Sequence, residues 1–215
     1  MVRKKSLLLI CFFIVLLVGC ATTAPVRPAL KEDLKIPVGK IEGNQFIGIR
    51  YPFNVSVPVN WKMTTEFPDF LEGLGYDKPS LTDREQTELY VFNPLTRSNV
   101  QIDFSPANPG FLPSQGVMEA LVGAGASSLK EEWEEEGVQV DTGPTEAVTL
   151  KGVQYAAKKY VTYTIKGLKR EQGWIYGFTE PYHIFILYMI LEKDSANDRQ
   201  DIRKILDSFE VTMKK

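Results

Sequence analysis

From residue 45 to residue 212 apolar and polar positions follow two different periods, and the change from one to the other marks the elements. Residues 46–51, 54–58 and 61–64 alternate or cluster as short strands, separated by Pro52-Phe53 and by Val59-Asn60. Residues 88–93 and 99–105 read as a hairpin joined by Asn93-Pro94-Leu95-Thr96-Arg97-Ser98. A helical period then takes over. Ser114 follows Pro113 as an expected N-cap, and Val117, Leu121, Leu129 and Trp133 recur at multiples of four, widened by Met118 and Val122, until Gly137. The glutamates of Glu131-Glu132-Trp133-Glu134-Glu135-Glu136 are expected on the solvated side, with Trp133 turned inward. Strands return over residues 145–150, 154–165, 170–178 and 182–191, with Lys166-Gly167-Leu168 and Thr179-Glu180-Pro181 as antiparallel turns. In residues 184–191 both alternating sets are apolar, which predicts a central strand covered on both faces. A closing helix over residues 197–208 offers Ile202, Ile205, Leu206 and Phe209 as its buried side. Strands, helix, strands, helix predict an α+β fold: an antiparallel sheet covered by helices on both faces, an α/β/α sandwich.

The N-terminus has a different pattern. Arg3, Lys4 and Lys5 precede an uncharged apolar run from Leu7 to Val18. A spanning helix needs roughly 20 apolar residues, so this run has the length of a signal-peptide core. It ends in Leu17-Val18-Gly19-Cys20, which resembles the bacterial lipobox. That resemblance implies diacylglycerol on the Cys20 sulfur, removal of residues 1–19 and acylation of the new terminus. Two or more acyl chains anchor stably because each buried methylene contributes about 0.8 kcal/mol. Residues 20–44, with Pro25, Pro28 and Pro37 and no apolar period, are expected to be a tether. One domain over residues 45–215 follows it, long enough for a sizeable core. Ala21 follows Cys20 where aspartate signals inner-membrane retention in enteric bacteria, so a lipid-anchored place in the envelope is expected, on the periplasmic side of the outer membrane.

Composition narrows the chemistry. Cys11 lies in the signal and Cys20 carries the lipid, so no thiol is left for a disulfide, a metal or a nucleophile. The formal charge of −2 becomes more negative once Arg3, Lys4 and Lys5 are removed, which speaks against nucleic acid as a partner. His183 is the one histidine; a His-Glu-x-x-His zinc helix is impossible, and no Gly-x-Ser-x-Gly elbow exists. A structural role for His183 is expected. Gly123-Ala124-Gly125-Ala126-Ser127-Ser128 lacks the third glycine and the βαβ setting of a dinucleotide loop, and is expected to pack closely on the sheet. No cofactor, metal or catalytic residue is expected.

The opening Tyr51-Pro52-Phe53-Asn54-Val55-Ser56-Val57-Pro58-Val59-Asn60-Trp61 resembles the start of the PsbP-like family. The ending Ile205-Leu206-Asp207-Ser208-Phe209-Glu210-Val211 is similar to that family's closing helix. The resemblance covers most of residues 45–212 and implies the sandwich fold. The family includes the extrinsic photosystem II subunit, a Ran-binding nucleotide-release factor and bacterial envelope lipoproteins, which share no single chemistry. The expected function is therefore that of a non-catalytic envelope accessory domain with a protein partner; a small-ligand or lipid-binding module is the alternative. Candidate contact residues are Phe67, Phe70, Leu71, Leu74 and Tyr76 in the aperiodic stretch 65–84, and Phe111 in the proline-rich stretch 105–113. Either these side chains form an exposed patch, or they fold back over the sheet edges. Trp174, Tyr176 and Phe178 are expected to be core beneath a helix.

Overall fold

The computed structural model describes residues 36–78 and 87–212. Cys20, the expected tether up to residue 35 and residues 79–84 of the aperiodic stretch lie outside the described residues. The folded unit begins at Ile36, earlier than the expected boundary at residue 45. The reason is a strand, β1 (Gly39–Glu42), which pairs antiparallel with β2 (Gln45–Gly48) across Gly43.

Two antiparallel sheets replace the single sheet expected. The smaller has the order β1-β2-β3-β12, with β3 at Phe53–Ser56 and β12 at Glu210–Val211. The larger has the order β4-β5-β6-β11-β10-β9-β7. Its strands are β4 (Lys62–Thr64), β5 (Thr87–Phe92), β6 (Asn99–Pro106), β7 (Val140–Thr142), β9 (Tyr155–Ile165), β10 (Leu168–Thr179) and β11 (Tyr182–Leu191); β8 (Glu146–Ala147) also pairs with β9. Strand β11 sits in the middle of that order, as its doubly apolar pattern requires. The expected strand at 145–150 shrinks to β8, whose ladder with β9 holds the pairs Glu146–Lys158 and Ala147–Ala157 and ends with the Val148 amide donating to the Ala156 carbonyl.

Each face of the large sheet carries its own core. Trp174 opposes Leu187 and Ile175 opposes Ile186, so the two pairs point to opposite faces. On one face helix α1 (Gln115–Glu135) lays Met118, Val122 and Ala126 on Ala157, Val161, Trp174, Phe178 and Leu187. Ser114 caps α1 by accepting from the Val117 amide at 3.2 Å. The buried stripe is centred on Met118, Val122 and Ala126, with the expected Val117, Leu129 and Trp133 half-buried at its edges; of the expected set Leu121 alone is exposed. Multiples of four drift about 40° per step around a 3.6-residue helix, so Val117 and Trp133 lie at the two edges of the buried side while 118, 122 and 126 hold its centre. Ala126 makes the close approach expected of the glycines; a Cβ on Gly125 would meet nothing within 4 Å. Gly125→Ala is therefore expected to stabilise the domain by about 0.5–1 kcal/mol through helix propensity, read as a raised urea midpoint.

The other face is closed by the small sheet together with helix α2 (Ser195–Ser208), rather than by a helix alone. Phe46, Phe53, Val55, Ile202, Ile205, Phe209 and Val211 pack there with Val91, Ile102, Phe104, Ile184 and Ile186. Stacked rings of Phe53 and Phe104, 4.8 Å apart, join the two sheets. Two buried carboxylates on α2 tie the layers. Asp198 accepts from Asn93 Nδ2 at 3.0 Å and from Ser98 Oγ at 2.6 Å. Asp201 accepts from Trp61 Nε1 at 3.1 Å and from Asn60 Nδ2 at 3.3 Å. The tryptophan near the start of the domain and the closing helix are thus one hydrogen-bonded unit.

Candidate binding groove

The candidate contact residues of the 65–78 stretch lie half-buried or buried against the sheet. Residues Asp69–Leu74 form a 3-10 helix over the β5 half of the α1-bearing face. Phe67 packs on Tyr90 at 5.8 Å and Phe70 on Phe92 at 5.1 Å. Leu71 is 1% exposed, and the Leu74 carbonyl accepts from Arg170 Nη1 at 2.9 Å. The Tyr76 hydroxyl is buried, which pushes its pKa up. Phe111 lies elsewhere, 4.4 Å from the His183 ring and 5.5 Å from Phe178. A cavity of about 200 Å³ beside them is lined by Asp103, Ser105, Tyr176, His183 and Phe185. Burial among these rings holds the His183 pKa down. His183 packs against the rings of Phe111, Tyr176 and Phe178. Trp174 and Phe178 are core beneath α1, and Trp133 stacks on Tyr163 at 5.7 Å.

A more open site runs along α2 on the opposite face. Strand register puts Tyr160, Gly173 and Tyr188 in one row across β9, β10 and β11. Gly173 supplies no side chain, so the Tyr188 ring lies flat over it: a Cβ there would stand 2.1 Å from Tyr188 Cζ. Tyr160 leans in the same way on Gly143, whose Cβ would stand 2.3 Å from its ring. Around this aromatic floor is a cavity of about 350 Å³ lined by Lys158, Glu171, Ile190, Arg199, Ile202, Arg203 and Leu206. A second cavity of about 300 Å³ adjoins it, sharing Glu171, Ile190 and Arg199.

The polar groups of the groove are held in place. Arg199 Nη2 donates to Glu171 Oε2, and the carboxylate beside it raises the Arg199 pKa. Lys158 Nζ lies 2.8 Å from Glu146 Oε2 at the rim. Burial raises the Tyr188 pKa, with Glu171 adding to the shift, so its hydroxyl stays neutral and can donate or accept. Of the three cations that line the larger cavity, Lys158 is paired with Glu146 and Arg199 with Glu171, which leaves Arg203 as the positive charge in excess. The groove suits an anionic group flanked by an apolar surface. The sequence did not single it out, because its residues come from four elements and each looks ordinary alone. A signal was available in Gly173, a glycine inside a strand, which marks a close approach.

Among the described residues no group of three or more His, Cys, Asp or Glu is placed to hold a metal ion. Among them, too, no helix is long and apolar enough to cross a membrane.

No family model matches the sequence. No curated protein matches it by sequence either. Solved structures do match in fold. Cyanobacterial PsbP (CyanoP) from Synechocystis sp. PCC 6803 superposes with a TM-score of 0.53 at 11% identity, over 82% of this chain and 99% of that one. A Bacteroides thetaiotaomicron protein gives 0.47 at 12% identity, over 81% of this chain and 50% of that one. LpqN, involved in cell envelope biogenesis of Mycobacterium tuberculosis, gives 0.47 at 10% identity, over 75% and 83%. The chain has a PsbP-like fold.

Proposed function

We propose that the chain is a lipid-anchored, non-catalytic accessory protein of the bacterial envelope, which binds a partner protein in the groove along α2. The groove itself carries this reading: a preformed aromatic floor bordered by two fixed ion pairs, with the exposed Arg203 as an extra cation over it. The chemistry favours an acidic segment with apolar neighbours. The anchor is supported by Leu17-Val18-Gly19-Cys20 behind an apolar run, and Ala21 favours the outer membrane. The non-catalytic reading is supported by the use of Asp198 and Asp201 as structural acceptors and of His183 as an aromatic packing element. Phe67, Phe70 and Leu71 pack inward, so the partner surface is assigned to the groove rather than to them.

The test is partner capture from the native host with the full-length chain, a brief crosslink, and two variants. One stoichiometric partner is expected. Cys20→Ala should reduce its capture by releasing the domain from the membrane. Arg203→Glu reverses an exposed charge on α2 and should reduce capture about tenfold, as for a lost interfacial charge contact. Undiminished capture by Arg203→Glu sinks the groove assignment. Turnover by the purified chain that depends on named side chains sinks the non-catalytic reading. The volume of the same groove also favours a second reading, a small organic anion as ligand; native mass spectrometry of the delipidated protein decides it.

A further inference from the structure

Two turns at one end of the large sheet present large apolar side chains to solvent. Val59 is 89% exposed and Leu95 is 76% exposed. The turns are neighbours, because Lys62 at the start of β4 pairs with Phe92 at the end of β5. Neither can fold its tip inward. Asn60 and Trp61 are bonded to Asp201, and Asn93 and Ser98 to Asp198, one helical turn away on α2. The Asn93 side chain also accepts from the Leu95 amide at 3.0 Å, fixing the turn from within. The bases of both turns are therefore fixed to α2, and the apolar tips stand out from them.

Charge does not identify a highly basic or acidic partner. Lys62, Arg97 and Lys193 are exposed at this end, and so are Glu192 and Asp194. Nearly balanced charge around rigid apolar tips suits a phospholipid interface, where a side chain sinks to the headgroup–acyl boundary. The distances allow it. Ile36, where the folded unit begins, is held by Arg50, which also pairs with Glu88 near the far end of β5. That end is about 17 Å from the tips at the rise of a β-strand. Residues 21–35 span up to about 50 Å when extended.

We propose that the end of the domain led by Val59 and Leu95 is the face that touches the bilayer holding Cys20. This rests on the lipid anchor proposed above. Contact at this end fixes the orientation of the domain relative to the bilayer.

The experiment uses the lipidated chain in vesicles of phosphatidylethanolamine and phosphatidylglycerol. A single cysteine is placed at Val59, Leu95 or Leu112 and labelled with an environment-sensitive fluorophore. The introduced thiol is then the one reactive cysteine, since Cys11 leaves with the signal and the Cys20 sulfur is acylated. Leu112 is the control: it is 82% exposed but follows β6 at the opposite end of the sheet. Doxyl lipids are expected to quench Val59→Cys and Leu95→Cys about threefold more than Leu112→Cys, with little change on adding salt. Leu95→Asp should lower quenching at Val59→Cys to the Leu112→Cys level. Equal quenching at all three sites in a chain whose intact mass shows the lipid overturns this proposal alone. An intact mass with unmodified Cys20 overturns the anchor reading and this proposal with it.

Discussion

Asp198→Ala is expected to lower the stability of the domain by about 3–4 kcal/mol. The side chain is 1% exposed and takes the Asn93 amide on one oxygen and the Ser98 hydroxyl on the other. Ser98 Oγ in turn accepts from the Leu191 amide at 3.1 Å, so the chain of bonds runs from the end of β11 through the 93–98 turn into α2. Alanine would strand two buried donors, each worth about 1–3 kcal/mol when left unpaired. It would also remove a carboxylate from the first turn of α2, where the helix dipole favours it. Asp207→Ala, an exposed aspartate on the same helix, should stay within about 0.5 kcal/mol of the parent. Urea unfolding of both variants reads the contrast. A Ser98→Ala/Asp198→Ala cycle should return a coupling of about 1–2 kcal/mol. A loss below about 1 kcal/mol on Asp198→Ala would mean that the network contributes far less than an ordinary buried charged bond.

That network was hard to read in the sequence for an identifiable reason. Aspartates on a helix look like solvated positions, and Ile202, Ile205, Leu206 and Phe209 were enough to define an apolar side. Yet Asp198 and Asp201 continue the same stripe one turn earlier, since 198, 201, 202, 205 and 209 share a face. Polar residues in register with a buried stripe are candidates for buried acceptors. The long strands β9, β10 and β11 were legible because ten or more residues kept a consistent pattern between turns such as Lys166-Gly167. Strands β1 and β7, of three or four residues, carry too few alternations to stand out, and the split into two sheets went unseen with them. The 65–78 stretch has no period because its aromatics pack on Tyr90 and Phe92, whose spacing belongs to another strand. The groove had even less to show: Lys158, Glu171, Tyr188 and Arg203 meet only through the antiparallel register and the placing of α2.

The stability of the domain is expected to fall as pH rises from about 4.5 to about 7 through one residue, Glu88, whose carboxyl is pushed from 4.5 up to about 7, chiefly by burial. Arg50 Nη1 donates to Glu88 Oε1 at 3.1 Å and pulls the other way, but its guanidinium also serves the Ile36 carbonyl through Nε and Nη2. Glu88 Oε2 is buried with no partner among the described residues, and Asp103 adds a like charge. Below 4.5 Glu88 is protonated in both the folded and the unfolded chain, and its contribution is full. Between 4.5 and 7 the folded state holds the proton more tightly, so each rise in pH favours unfolding. Above 7 both states are ionised and the loss is complete, about 3 kcal/mol at 1.36 kcal/mol per pH unit. Asp201 has the opposite sign: burial opposes ionisation, but bonds from Lys204, Trp61 and Asn60 win and hold its pKa below 3.8, so its contribution disappears only in stronger acid. The two windows do not overlap. Glu88→Gln keeps an acceptor for Arg50 without the proton, mimicking the protonated state at every pH. The variant should match the parent near pH 4.5 and exceed it by about 3 kcal/mol above pH 7. Urea midpoints of both proteins across this range measure the difference directly, and parallel curves from pH 5 to 7 would show that the buried Arg50–Glu88 pair is ionised throughout.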